Sequence, residues 1–172
     1  SSEGDLRFGL SCLHSDNSVY VNGSSIPFIE SETKTKFVVS LEYSWRDWLF
    51  VSEYGEADRQ TRQSGNINLD GPSQSWYGMI SYSPFDAWTF SVLYDEFYRL
   101  KHDKDGETRP QTEPYFGWRK DLGVGVRYDI TDDLTFKAEH HSVDGGAMQL
   151  GVINSKVDRY WNYFAAKLSY SF

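Results

Sequence analysis

The chain closes on Trp161-Asn-Tyr-Phe-Ala-Ala-Lys-Leu-Ser-Tyr-Ser-Phe172. Counting back from the last residue, Phe172, Tyr170, Leu168, Ala166 and Phe164 fall on one side of an extended chain, and Ser171, Ser169, Lys167 and Ala165 on the other. Successive side chains of a strand point to opposite faces, so this period of two describes a ribbon with one apolar and one polar surface. A strand that ends the sequence on a large aromatic is uncommon in a water-soluble core, because chain termini usually fray.

Seven earlier segments share the pattern. Leu6 to Leu13 sets Leu6, Phe8, Leu10 and Cys12 against Arg7, Gly9 and Ser11; Phe37 to Trp45 sets Phe37, Val39, Leu41 and Tyr43 against Val38, Ser40, Glu42 and Ser44. Trp48 to Gly55 follows after only Arg46-Asp47, the spacing of a tight hairpin. Trp76 to Tyr82 and Trp88 to Asp95 flank a turn at Pro84 to Ala87, where the proline, unable to donate to a ladder, is expected to end the strand. Leu122 to Ile130 and Leu134 to His141 flank Thr131-Asp-Asp133. Between these pairs lie polar connections at 15–34, 58–73, 100–120 and 142–160.

The terminal segment resembles the last strand of bacterial outer-membrane β-barrels, in which a terminal Phe preceded by apolar residues at every second position is read by the insertion machinery. On that resemblance Phe164, Leu168, Tyr170 and Phe172 form the insertion signal. Outer-membrane lipid and the barrel-insertion machinery are then the expected partners, and the outer membrane of a Gram-negative cell the expected location.

Composition is compatible with this. Aromatic residues make up 17% of the 172, with 12 Tyr, 11 Phe and 6 Trp, in a chain whose mean hydropathy is only -0.59. Such a combination suits a wall whose faces meet different solvents, with aromatic girdles at the membrane interfaces. No run approaches the roughly 18 apolar residues of a membrane-spanning helix, but barrel strands hide their apolarity by alternation. The formal charge of -8 argues against a nucleic-acid partner. Cys12 is the single cysteine, so no internal disulfide is expected. The opening Ser1-Ser-Glu-Gly-Asp5 contains no signal peptide, as expected of a mature form or a fragment.

The order of long and short connections suggests one all-β domain over residues 1–172, an antiparallel up-and-down transmembrane barrel. The short turns lie on the periplasmic rim and the long loops outside. The apolar positions named above carry no Lys, Arg, Asp or Glu, as lipid contact requires: Arg or Lys at mid-bilayer costs about 2–4 kcal/mol. In hydrocarbon every backbone N–H and C=O must be paired, so the sheet is expected to close.

A wider resemblance follows from Tyr128-Asp-Ile-Thr-Asp-Asp-Leu-Thr-Phe-Lys-Ala-Glu-His140, which looks like the penultimate hairpin of porins of the phosphate-selective-porin-like superfamily. Tyr82-Ser-Pro-Phe-Asp-Ala-Trp88, and the Glu-Tyr pairs at 42–43 and 53–54 around a Trp-rich turn, look like earlier hairpins of those proteins. Such porins are similar to sixteen-stranded trimeric barrels of about twice this length, so the likeness reaches only their C-terminal half. It implies passive diffusion of small hydrophilic solutes or ions, a homo-oligomer, and neither cofactor nor covalent chemistry.

Two architectures remain open: eight strands closing alone, or half of a wall of roughly sixteen. Lumen-facing candidates are Arg7, Glu42, Glu53, Asp95, Arg127, Asp129, Lys137, Glu139 and Lys167. In a lone ring they would have to pair in a nearly dry interior, where an unmatched charge is expensive; in the wider wall they line water. Arg127 and Lys137 are the leading candidates for attracting anionic solutes, with a salt network as the plainer alternative. The alternative function is a small closed barrel with a structural or adhesive role through its loops. Glu139-His-His-Ser-Val-Asp144 holds the residue types of a hydrolase, but His140 and His141 point to opposite faces, so no catalytic residue is expected. Glu139 and His141 share a face, so metal binding is geometrically possible, yet two ligands fall short of a structural or catalytic set. His102, Asp103 and Asp105 lack the spacing of a calcium loop.

Overall fold

The computed structural model describes residues 4–20, 29–63, 66–108, 113–147 and 158–172, so parts of all four expected long connections, Pro110 included, lie outside the described residues. Eight strands are formed: β1 (Asp5–Val19), β2 (Ile29–Trp45), β3 (Trp48–Gln63), β4 (Asn66–Phe85), β5 (Trp88–Tyr98), β6 (Trp118–Asp129), β7 (Leu134–Asp144) and β8 (Tyr160–Tyr170). A 3-10 turn, Pro114–Gly117, precedes β6. The strands make one antiparallel sheet in sequence order. The up-and-down meander is therefore as expected, whereas closure into an eight-stranded ring is not observed. Among the described residues, β1 pairs only with β2 and β8 only with β7.

The strands run further than hydrophobic alternation indicates. Stretches expected as connections, 15–19, 29–34, 58–63 and 66–73, belong to β1 through β4, and Gln63 pairs with Asn66. Likewise 96–98, 118–121 and 142–144 extend β5, β6 and β7. The reason is that a ladder needs only backbone groups. Once a strand has water on both faces, selection for alternation disappears while the hydrogen bonds persist. Pro72 is tolerated in β4 because β5 has already ended beside it, leaving an edge. Its carbonyl accepts the Lys101 N–H at 2.7 Å, so the 99–108 loop covers that edge.

On the opposite rim the connections are tight. Arg46 sits in the left-handed region, with φ 54°, and its guanidinium lies 4.8 Å over the Trp45 ring. Pro84 does not end β4, contrary to expectation. An irregularity between Tyr82 and Phe85 absorbs it, and the strand continues until Phe85 pairs with Trp88. In the last turn the Thr131 hydroxyl accepts the N–H groups of Asp133 and Leu134 at 3.3 and 3.1 Å.

The cross-strand register reveals something alternation alone cannot. The apolar segments of the eight strands are centred on Gly9, Ser40, Val51, Met79, Ser91, Gly125, Lys137 and Lys167. Following direct partners from Gly9 leads instead through Ser40, Glu53, Tyr77, Asp95, Asp121 and Val143 to Trp161. The apolar centre thus falls behind the partner row steadily, until on β8 it is six residues away. At ~3.3 Å per residue and ~4.8 Å per strand this is a straight belt that departs from the perpendicular to the strands by about 30°. Spanning barrels tilt their strands by about 35–45°.

The two faces differ in crowding. Ala57, Ser81, Asp121, His141 and Val143, all on the polar face, are 2–8% exposed. On the apolar face Ile80, Phe90 and Val124 remain 46–49% exposed, and Phe8 and Phe164, on the edge strands, nearly 70%. A curved sheet crowds its concave side, so the polar face is the inner one. At the tight-turn rim the belt ends in stacked rings, Trp48 on Tyr82 at 4.3 Å and Trp88 on Tyr128 at 4.4 Å.

Candidate functional site

The inner face holds all nine expected lumen residues, since each shares its strand's polar side. Near the tight-turn rim Arg7 reaches Asp5 at 3.1 Å and Glu42 at 3.2 Å, with its side chain 70% exposed. Ion pairs so exposed stabilise little. Arg127, Lys137 and Lys167 are direct cross-strand partners, three cations abreast. Like charges in that position repel. Asp129, held by the Thr135 hydroxyl at 2.6 Å, neutralises Arg127 at 2.9 Å, but Lys137 and Lys167 form no ion pair with any described residue. Glu53 likewise stands without an ion pair among the described residues, beside Tyr77 in the register.

Four residues toward the loop rim lies a denser cluster. Arg119 clasps the Asp95 carboxylate through Nε, at 3.1 Å, and Nη2. Asp95 and Asp121 are direct partners on β5 and β6; the guanidinium on one and two donors on the other offset their repulsion. One Asp121 oxygen faces His141 Nδ1 at 2.9 Å, and the other accepts the Tyr163 hydroxyl at 3.3 Å. The His141 ring stacks on Tyr163 with centroids 4.4 Å apart and planes 8° from parallel. Gly123 lies against its other side: a Cβ there would come within 2.7 Å of His141 Cε1. Glu139, two residues along β7, places Oε2 3.6 Å from His141 Nε2.

Arg119, Asp121 and Tyr163 escaped the sequence reading for identifiable reasons. Arg119 falls in a stretch whose polarity marks it as a connection, Asp121 directly follows that stretch, and Tyr163 is one more aromatic on a strand rich in them. The odd-numbered run Arg119, Asp121, Gly123, Gly125, Arg127, Asp129 was the available signal, since it continues β6 back to Trp118.

The hydrolase arrangement is not formed. His140 lies on the apolar face, between Val124 and Phe164 in the register, and the hydroxyl of Ser142, on that same side, donates to Asn162 at 2.7 Å. In the loop, Asp103 accepts the Glu107 N–H at 2.8 Å, which is local capping. Among the described residues no three His, Cys, Asp or Glu side chains are grouped to enclose a metal.

Outside the belt, on the apolar-facing side, a polar collar begins. Arg159 pairs with Asp144 at 2.8 Å and lies over the Trp118 and Tyr160 rings, and Lys101 binds Glu56. The Glu56 carboxylate holds the Lys101 ammonium above its ordinary pKa, and Asp144 does the same for the Arg159 guanidinium.

Comparison of the chain with protein-family models, with characterised proteins and with solved structures returns no match.

Proposed function

We propose that this sheet is wall of an outer-membrane β-barrel of porin type, which lets small hydrophilic solutes or ions diffuse through a water-filled lumen. The observation that carries the reading is the exposed apolar belt running about 30° off the perpendicular to the strands, with the Lys, Arg, Asp and Glu side chains at belt level confined to the crowded opposite face. A soluble sheet would bury such a belt against a second layer, and would have no reason to keep it level across strands that tilt.

The wider of the two expected architectures is favoured by the edges of β1 and β8, unpaired among the described residues, and by Lys137 and Lys167, which in a narrow dry ring would stand uncompensated. The tight-turn rim then faces the periplasm, and the overhanging ends of β1 to β4 the exterior. Transport is passive: exclusion by size, modulated by bases near the middle of the wall and acids above them.

Planar-bilayer recording tests this. Steady open-channel steps of a fixed size are expected, and Lys137→Glu combined with Lys167→Glu should shift the reversal potential toward cations. Membrane insertion without conductance would favour the anchoring or adhesive barrel instead.

A further inference from the structure

We infer that His141 and Glu139 form a divalent transition-metal site on the inner face, with Asp121 as the positioning residue behind the imidazole. His141 Nδ1 is engaged by Asp121 at 2.9 Å, which leaves Nε2 as the nitrogen with a lone pair to offer. That side chain is nine-tenths buried, but Nε2 itself reaches the surface of the inner face, where it makes no hydrogen bond to any described residue. Its nearest partner, Glu139 Oε2, is 3.6 Å away, beyond the 2.7–3.2 Å of an N–H···O bond.

The separation does suit two ligands of one ion. Zinc bonds of about 2.0–2.2 Å to nitrogen and oxygen, at a tetrahedral angle, set those atoms ~3.4 Å apart. A small rotation of Glu139, whose side chain is 52% exposed, closes the difference. Tyr163 on one side and Gly123 on the other keep the ring from turning away. Two protein ligands leave positions for water or a passing ligand, so the ion is held exchangeably rather than as a structural zinc. Imidazole with one carboxylate suits zinc, copper or nickel over calcium or magnesium. Access from solution rests on the lumen reading above, but the ligand geometry does not.

Zinc chloride titrated calorimetrically into the full chain in detergent micelles gives the test. One site per chain is expected. His141→Asn and Glu139→Gln should each abolish it, and Asp121→Asn should weaken it ~10- to 100-fold, the usual effect of losing an outer-shell partner. His140→Asn, on the opposite face, should leave it unchanged. Glu139 is exposed, so its variant remains informative if the buried Asp121 change fails to fold. Wild type showing no zinc heat, or Glu139→Gln and His141→Asn binding as wild type does, overturns the assignment. Because the readout is made without a membrane, its failure is separable from absence of conductance.

Discussion

At the scale of single residues, the wall is defined by which side of a strand a substitution falls on. Val92 and Ser91 are neighbours at mid-belt on β5, one on each face. Val92→Arg should cost about 2–4 kcal/mol of folding stability in lipid vesicles, and Ser91→Arg far less; urea titrations of the two variants make the comparison. At Gly123 the requirement is space. A methyl group there meets His141 Cε1 at 2.7 Å and Nδ1 at 3.0 Å, so Gly123→Ala must push the ring off Asp121. Overpacking of this kind typically costs about 1–3 kcal/mol, and Gly123→Ala should also weaken zinc binding. The inner-face charges within the alternating segments were legible from parity alone, because position in a strand fixes the face, whereas Arg119 and Asp121, beyond the alternation, were not. Nor were the pairings. Pairing of Asp121 with His141 depends on register between β6 and β7, and no local pattern encodes which rung meets which.

At the scale of elements, alternation located the eight strands by the part of each that crosses the belt, and for the same reason missed their ends. Strand β4 shows this best: Trp76 to Tyr82 is unmistakable, while 66–73 carries Asp, Gly, Pro and Ser and still pairs with β3 through Pro72 opposite Asp58. The 99–108 loop is fastened to that overhang by the Lys101 N–H on Pro72 and the Lys101 ammonium on Glu56. Lys101→Met should leave the strands intact but speed proteolysis within this loop. The tie also has a pH signature. A cation whose folded pKa is raised contributes stability that is present below its ordinary value of 10.5 and lost as pH rises through the folded value. Loop protection measured by limited proteolysis should therefore be constant through neutral pH and fall in strong alkali, and Lys101→Met should abolish that fall.

At the scale of the whole molecule, the belt is a property of eight strands together and belongs to none of them singly. Each strand contributes a short apolar run; the register offsets successive runs by about one residue per strand, and only then do they form one level band. A band of this kind needs a solvent that is apolar on one side of the sheet. Site-directed spin labels placed one at a time from Leu122 to Tyr128, in a background with Cys12 replaced by Ser and reconstituted in lipid vesicles, report that solvent directly. The account predicts that positions 122, 124, 126 and 128 are reached by oxygen dissolved in lipid while 123, 125 and 127 are reached by a water-soluble nickel complex, with position 91 on β5 matching 125 on β6 in depth. Uniform access of the nickel complex to both sets, or a protein that stays in solution without detergent and buries Val124, Leu168 and Phe172 in a compact interior, would contradict it.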